Sequence, residues 1–179
     1  DYVVHEEVYA IVTADGWIKR IRQNNELSAT RLREGDSVLH AHPLTTLDWV
    51  VFVTNYGLLY SIKASEFPSS SGYGNPIQKT LKFKDGERIV RSFGVHSNED
   101  SQGMIPGTGN GAQFLKDGDT VLLLTSKGLG FGLKLDNLLM TRKSGRKLIS
   151  LRSGDTLAAI CHLSEKTSMF SEQGFGLTV

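Results

Sequence analysis

The sequence predicts an all-β protein of the propeller class, and three observations support that prediction. Glycine is frequent and proline scarce, with 19 glycines and 4 prolines in 179 residues. Apolar residues occur in many short runs bounded by turn residues, which is typical of short strands. A hairpin pattern also recurs along the chain, and repeats of this kind indicate a solenoid or a propeller. The composition is otherwise ordinary for a globular protein, with 39% hydrophobic and 22% charged residues.

The repeated hairpin consists of a mostly apolar run, then Thr or Ser, two variable residues and Gly. Its copies are VYAIVTADGWIKRI (8–21), WVVFVTNYGLLYSIK (49–63), TVLLLTSKGLGFGLK (120–134) and TSMFSEQGFGLTV (167–179). Glycine adopts a left-handed conformation without steric cost, so each copy predicts two antiparallel strands joined by a tight turn. The first strand of each pair is almost wholly apolar, which predicts that both of its faces are covered.

A second element recurs between the hairpins and consists of a basic residue, a variable residue, Gly, an acidic residue and an apolar strand. Its copies are LREGDSVLHA (32–41), FKDGERIVRSF (83–93) and LRSGDTLAAIC (151–161). The hairpin glycines Gly16, Gly57, Gly128 and Gly174 are separated by 41, 71 and 46 residues. Apart from the long middle interval, this is the period of a four-stranded propeller blade, about 40–50 residues.

We therefore expect a single domain over residues 1–179. Its repeats are predicted at about 7–47, 48–118, 119–165 and, incompletely, 166–179. The polar, Gly-rich stretch SNEDSQGMIPGTGNGA, residues 97–112, explains the long interval and is predicted to be a mobile insert. One such sheet cannot cover its own faces, so neighbouring sheets must stack around an axis. The sequence thus predicts a partial ring of about three to four blades.

Charge and cysteine content limit the classes of partner and compartment. The formal net charge is only +1, so binding to nucleic acid must depend on where the charges lie. The single cysteine, Cys161, forms no disulfide within the chain, which favours a reducing, cytoplasmic setting. No apolar run approaches the length of a membrane span, and the first residues lack the pattern of a signal peptide.

Strand alternation separates the residues that follow each turn into two faces. On one face, Tyr60 and Phe131 occupy equivalent positions that we predict to lie in the core, whereas Lys19 departs from this pattern in the first hairpin. On the other face, one position is basic in three hairpins. We call Arg22, Lys63 and Lys134 the basic column. Arg20 stands beside the column in the first hairpin only.

Further basic residues are candidates for binding phosphate. The densest cluster is TRKSGRK, with Arg142, Lys143, Arg146 and Lys147 around a predicted turn at Ser144-Gly145. Exposed N–H groups in such a turn, flanked by cations, form a plausible phosphate clasp. Arg31 and Arg33 are weaker candidates because Glu34 and Asp36 reduce their local field. The alternative is that all of these residues are solvated cations at strand edges, where they prevent pairing between sheets.

The sequence offers no catalytic or metal-binding constellation. His40 and His42 share one face of a predicted strand, but two imidazoles without a third ligand nearby make a poor zinc site. The run GTGNG (107–111) lacks the Lys and the strand–helix context of a phosphate-binding loop.

The hairpin of form apolar-T-x-x-G-x-x-[KR], followed by a connector and a G-[DE] strand, resembles the C-terminal domain of bacterial type IIA topoisomerase A subunits. That family comprises DNA gyrase and topoisomerase IV, and its fold is a β-pinwheel whose blades exchange an outer strand. The run GFGLKLDNLLMTRKSGRKLISL (130–151) is more similar to topoisomerase IV than to DNA gyrase. A Gln-Arg-Arg-Gly-Gly-Lys-Gly run, the gyrase box, is absent from this sequence.

The resemblance implies non-sequence-specific binding and bending of duplex DNA, which presents the DNA for strand passage in decatenation or relaxation. The whole enzyme would be an ATP-dependent isomerase whose nucleophilic tyrosine, ATP and Mg²⁺ belong to other domains, leaving this fragment without catalytic residues or cofactor. The implied partners are duplex DNA, the rest of the A subunit and the ATPase B subunit, and the two kinds of subunit form a heterotetramer. The implied location is the cytoplasm, on the chromosome. The alternatives are a protein-binding propeller, which the near-neutral charge permits, and, less favoured, a propeller enzyme.

Overall fold

The computed structural model describes residues 4–97, 114–139, 143–163, 168–170 and 176–178. In these ranges the strands are β1 (Glu7–Thr13), β2 (Trp17–Arg22), β3 (Val38–Thr45), β4 (Trp49–Thr54), β5 (Leu58–Lys63), β6 (Asn75–Pro76), β7 (Ile89–Val95), β8 (Thr120–Thr125), β9 (Gly130–Lys134), β10 (Arg146–Lys147), β11 (Leu157–His162), β12 (Ser168–Phe170) and β13 (Gly176–Thr178). Short 3-10 helices span Leu27–Ala29, Ala64–Glu66 and Ile77–Lys79. The predicted insert, apart from residue 97, lies outside the described residues.

The strands form antiparallel sheets of one repeated plan, which confirms the all-β, propeller-like prediction. The first sheet has the order β3-β1-β2-β6 and the second the order β7-β4-β5-β10. The third sheet has the order β11-β8-β9, and β12 pairs with β13 in a two-stranded sheet. In the first three sheets, the first strand of each hairpin pairs with the strand of the second repeated element that comes later in the chain, which is β3, β7 or β11.

The first and second sheets exchange a strand with the connector of the next repeat. Strand β6 follows the second hairpin but pairs with β2 of the first sheet, with Trp17 opposite Pro76. Strand β10 follows the third hairpin but pairs with β5 of the second sheet, with Leu58 opposite Lys147. The exchange implied by the family resemblance is therefore confirmed at both junctions.

Three hairpin turns have the predicted geometry. Gly16, Gly57 and Gly128 have φ values of 79°, 71° and 80°. Their amides donate to the carbonyl oxygens of Thr13, Thr54 and Thr125 at 3.0, 2.9 and 3.0 Å. The threonine hydroxyl also closes the first turn, because Thr13 Oγ1 accepts a hydrogen bond from Trp17 N at 3.0 Å. The fourth predicted turn, 171–174, lies outside the described residues.

The acidic residue of the second repeated element holds the neighbouring hairpin. Glu87 Oε1 accepts hydrogen bonds from Thr54 Oγ1 at 2.8 Å and from the Tyr60 hydroxyl at 3.0 Å. In the same way, Asp36 Oδ1 accepts from Asp15 N at 3.0 Å and Asp155 Oδ1 accepts from Ser126 Oγ at 2.8 Å. Glu87 and Asp155 satisfy buried or half-buried donors, and all three acids connect the second element to a hairpin, so the recurring acid is part of the scaffold.

Two apolar cores lie on opposite faces of the second sheet. Val50 and Phe52 belong to the core shared with the first sheet, whereas Val51 and Val53 belong to the core shared with the third. All four side chains are fully buried. This confirms that an apolar strand without polar alternation is covered on both faces.

The core prediction is correct for Tyr60 and wrong for Phe131, which is 42% exposed. Tyr60 is buried because its ring packs against Phe83, 4.9 Å away between ring centres, and against Gly145 of the exchanged segment. Within the described residues, no exchanged strand pairs with the outer edge of β9. Phe131 therefore lacks the cover that the exchange gives to Tyr60.

A buried polar network connects the first two sheets. Ser92 Oγ on β7 is 2.8 Å from both His42 Nε2 and His40 Nδ1 on β3. Burial lowers the pKa of His40 to about 4 and that of His42 to about 3, and the positive charge of Arg91 on β7 acts in the same direction. Both imidazoles are therefore neutral at neutral pH.

We expect these histidines to make the protein acid-sensitive. Their folded pKa values lie below the unfolded value of 6.5, so the unfolded chain takes up protons first as the pH falls. Between pH 7 and 4.5, this should lower the free energy of unfolding by about 2 kcal/mol or more for the pair. Urea unfolding of the protein and of His40→Gln/His42→Gln at both pH values measures the effect.

The double variant should lose most of that pH dependence, whereas His5→Gln, at an exposed position, should retain it. Equal pH dependence in the native protein and the double variant would contradict the assignment.

Candidate nucleic-acid interface

The basic column occupies one register position in three successive sheets. Arg22, Lys63 and Lys134 lie opposite Val8, Trp49 and Thr120 on the neighbouring strand. Each is near the end of the second strand of its hairpin, away from the turn, and all three side chains are exposed. The fold therefore repeats one exposed cation from sheet to sheet.

The three cations of the column differ in what surrounds them. Arg22 Nη2 forms an ion pair with Glu6 Oε1 at 3.1 Å, although the arginine side chain is 69% exposed. Lys63 Nζ lies 5.4 Å from the ring centre of Trp49. Lys134 forms no ion pair with any described residue. Among the described residues, Lys63 and Lys134 thus form no ion pair, in contrast to Arg22.

The predicted cluster around residue 145 divides into two groups. Lys143 and Lys147 are exposed, and Lys147 belongs to β10 at the edge of the second sheet. Arg146 instead forms an ion pair with Asp136 Oδ1 at 3.2 Å, and its Nη2 donates to the Asp136 carbonyl at 2.7 Å. Arg142 lies outside the described residues.

Gly145, which was predicted to be the centre of a phosphate clasp, has a role in packing. It has a φ of 73°, and a Cβ placed on it would come within 2.7 Å of the Tyr60 ring. The glycine therefore permits the exchanged segment to approach the second sheet closely. Phosphate binding at this turn stays a prediction.

Lys63 and Lys143 meet at a shallow depression of about 210 Å³. Its other lining residues are Trp49, Ser61, Ile62, Glu66, Thr80 and Leu81. Two lysines from connected but separate repeats thus approach one place on the surface, because the connector that supplies β10 passes beside β5.

The structure also brings Lys82 next to Lys143, and Lys82 is a residue that sequence reasoning did not select. The Lys82 amide donates to the Lys143 carbonyl at 3.0 Å, and the Lys82 side chain is exposed. Aligning the G-[DE] turns, with Gly35 on Gly86, places Lys82 in the position of Arg31. This alignment could therefore have identified Lys82 as a candidate from the sequence.

Arg20 is engaged within the fold. Its Nη1 donates to the carbonyl oxygens of Ser65 and Phe67 in the connector of the next repeat. Its own amide donates to the Pro68 carbonyl at 2.9 Å. These contacts attach the connector to the first sheet, and a contact between Arg20 and DNA stays a prediction.

Arg31 and Arg33 lie near aromatic rings of the first sheet and its exchanged connector. The Arg33 guanidinium is 4.8 Å from the ring centre of Trp17 and 4.0 Å from Asp15 Oδ2. The Arg31 guanidinium is 5.9 Å from the ring centre of Tyr73. Arg31 and Arg33 therefore contact other residues than those that surround the basic column, Lys143 and Lys147.

The described residues contain no group of three or more His, Cys, Asp or Glu side chains arranged to hold a metal ion. No helix in the described part of the chain is long and apolar enough to span a membrane.

The chain is similar to one family model and to several known proteins. The model of the family described as DNA gyrase C-terminal domain, beta-propeller, matches residues 48–93 and 119–160. The chain is 28% identical over 187 residues to the A subunit of DNA gyrase from Mycolicibacterium smegmatis (strain ATCC 700084 / mc(2)155), covering 97% of this chain and 20% of that protein. It is 22% identical over 160 residues to the A subunit of DNA topoisomerase 4 from Caulobacter vibrioides, covering 89% of this chain and 18% of that protein.

Solved structures share the fold. The C-terminal domain of DNA topoisomerase IV superimposes with a TM-score of 0.75 at 18% identity, covering 99% of this chain and 52% of that one. The E. coli ParC C-terminal domain superimposes with a TM-score of 0.71 at 20% identity, covering 97% of this chain and 64% of that one. The chain thus spans about a fifth of the length of its curated relatives and between half and two thirds of these solved domains.

Proposed function

We propose that the chain is a C-terminal domain of a type IIA topoisomerase A subunit, and on that premise that it binds and bends duplex DNA without reading its sequence. The bound segment would be presented for strand passage by the rest of the enzyme. In this role the domain contributes phosphate contacts and shape, and the chemistry of cleavage and ATP hydrolysis belongs to other parts of the enzyme.

The basic column is the observation that carries this proposal. A cation repeated at one register position in successive sheets gives a spaced series of positive charges. Duplex DNA presents phosphates continuously, so such a series contacts the backbone irrespective of sequence. Lys143 and Lys147 add two further exposed cations at the edge of the second sheet.

The salt dependence of duplex binding tests the proposal. If Lys63, Lys134, Lys143, Lys147 and Arg22 each contact one phosphate, the slope of log K against log salt should be about −4.5. Fluorescence anisotropy of a labelled 40-base-pair duplex, titrated at several salt concentrations, provides this slope.

Two duplexes of unrelated sequence should give the same affinity, since phosphates carry no sequence information. The absence of binding at low salt would contradict the proposal and would favour a protein-binding propeller. A strong preference for one sequence would contradict the absence of base reading.

We further propose that the domain acts in a topoisomerase IV-type enzyme that relaxes and decatenates DNA. Support comes from the run 130–151, which is more similar to topoisomerase IV than to DNA gyrase. Relatives of both enzyme types match the chain, so this assignment is narrower than the family itself. The proposed partners in a heterotetramer are the remainder of the A subunit together with an ATPase B subunit, acting on the chromosome in the cytoplasm, with ATP and Mg²⁺ bound elsewhere in the enzyme.

A further inference from the structure

The first sheet carries a second group of cations, and here each arginine lies against an aromatic ring. We call Trp17, Arg33, Arg31 and Tyr73 the stacked patch. Arg33 lies 4.8 Å from the ring centre of Trp17, and Arg31 lies 5.9 Å from that of Tyr73. Tyr73 is 46% exposed, and both arginines are exposed. The patch therefore offers rings and guanidinium planes at the surface, whereas the basic column offers separate cations.

A buried lysine fixes the backbone beneath one half of the stacked patch. Lys19 Nζ donates to the carbonyl oxygens of Arg31 at 2.6 Å and Gly72 at 2.8 Å, and Lys19 is only 1% exposed. Gly72 directly precedes Tyr73, so one ammonium group holds the backbone at Arg31 and next to its aromatic partner. A surface that is ordered before binding loses little conformational entropy when a ligand arrives.

The glycine after Tyr73 adds a second restraint. Gly74 has a φ of 84°, and a Cβ built on it would lie 2.2 Å from the Ile18 carbonyl oxygen. The backbone beside Tyr73 thus lies directly against β2. The strand exchange therefore holds the backbone from which the tyrosine ring extends.

The charges of the stacked patch nearly cancel. Arg33 is 4.0 Å from the Asp15 carboxylate, and Glu34 and Asp36 follow within three residues. Because nearby acids offset its positive charge, such a patch should bind phosphate groups only weakly. Aromatic rings with adjacent guanidinium planes are, however, the groups on which proteins stack unpaired bases. In a duplex the faces of the bases are covered by their neighbours, so the matching ligand is single-stranded.

We infer that the stacked patch binds the unpaired bases of single-stranded DNA. The site is separate from the duplex interface, because it uses other residues and relies on stacking in place of phosphate neutralisation. The inference therefore does not depend on the proposed duplex function.

Trp17 provides a direct readout of this site. The chain has two tryptophans, so Trp49→Phe leaves Trp17 as the only one. Titration with a twelve-nucleotide oligothymidylate should quench its fluorescence, and the affinity should change little with salt, with a log–log slope of about −0.7 for one phosphate contact. A relaxed, covalently closed circular duplex, which has no ends, should not quench it at the same phosphate concentration.

Substitutions in the same background separate the patch from the duplex interface. Tyr73→Ala should weaken oligothymidylate binding about 5- to 150-fold, the value of stacking one base. Phe131→Ala is the matched control, since Phe131 is a similarly exposed aromatic on the third sheet, and it should leave binding unchanged. Lys63→Glu/Lys143→Glu/Lys147→Glu should retain oligothymidylate binding.

Four results would overturn the inference: no quenching at low salt, equal losses from Tyr73→Ala and Phe131→Ala, a salt slope as steep as that of the duplex, or equal quenching by a polyglutamate peptide. The last result would identify the patch as a binding face for an acidic protein.

Discussion

Replacing Gly74 by Ala is expected to lower the free energy of unfolding by more than about 3 kcal/mol, because it combines two separate penalties. The residue has a φ of 84°, which costs an L-residue about 1–2 kcal/mol. In addition, the new Cβ would lie 2.2 Å from the Ile18 carbonyl oxygen and 2.8 Å from Lys19 Cβ. Neither neighbour is a flexible chain end, so the exchanged connector must move away from β2. Urea unfolding at pH 7 measures the loss.

Gly35→Ala is the matched control for that prediction. Gly35 has a φ of 77°, but a Cβ on it meets no atom within 4 Å. It should therefore show the conformational penalty alone, about 1–2 kcal/mol. Gly130→Ala, which has neither a positive φ nor a neighbour within 4 Å, should be nearly neutral. Equal losses from Gly74→Ala and Gly35→Ala would show that the connector does not lie against β2 as described.

Reversing the charge of Lys63, Lys143 and Lys147 to Glu is expected to weaken duplex binding at least about 100-fold. Each lost phosphate contact is worth about 1 kcal/mol in water, and about 1.4 kcal/mol corresponds to a factor of ten. The log–log salt slope should also become shallower, from about −4.5 to about −1.8, because three of five contacts are removed. Anisotropy titrations of the variant over the same salt series measure both quantities.

A second triple variant controls for net charge. Lys84, Lys127 and Arg152 are exposed and lie in the turns, at the opposite end of the hairpins from the basic column. Their reversal to Glu changes the net charge by the same amount. It should weaken binding much less and leave the slope nearly unchanged. Equal effects of the two variants would mean that the DNA responds to a diffuse field, and the column would lose its assigned role.

The parts of the fold that depend on neighbouring residues were predictable from the sequence. The turn at Gly57 needs only a glycine and the preceding threonine, and both are visible in the repeat. The exposure of Arg22, Lys63 and Lys134 followed from alternation and from the alignment of the hairpins. These features were accessible because strand periodicity and turn chemistry act over a few residues.

The parts that depend on the exchanged connectors were not accessible in this way. Arg20 looks like a surface cation in its own strand, yet its acceptors are the carbonyls of Ser65 and Phe67, more than forty residues away. Arg146 has the composition of a phosphate ligand but pairs with Asp136. The burial of Lys19 was equally hidden, because the Gly72 carbonyl oxygen that accepts its hydrogen bond belongs to the next repeat. No local pattern contains these partners.

Strand exchange also gives the chain a direction during its synthesis. The second hairpin is complete at Lys63, but its sheet acquires β10 only when Arg146 and Lys147 have been made, after the whole third hairpin. In the same way, the first sheet is complete only after Asn75 and Pro76 have been synthesised. A ribosome that releases these repeats one by one therefore leaves the newest sheet with an unpaired edge until the following repeat emerges. Because an unpaired edge invites pairing with other chains, the youngest repeat on the ribosome is also the one most exposed to misassembly.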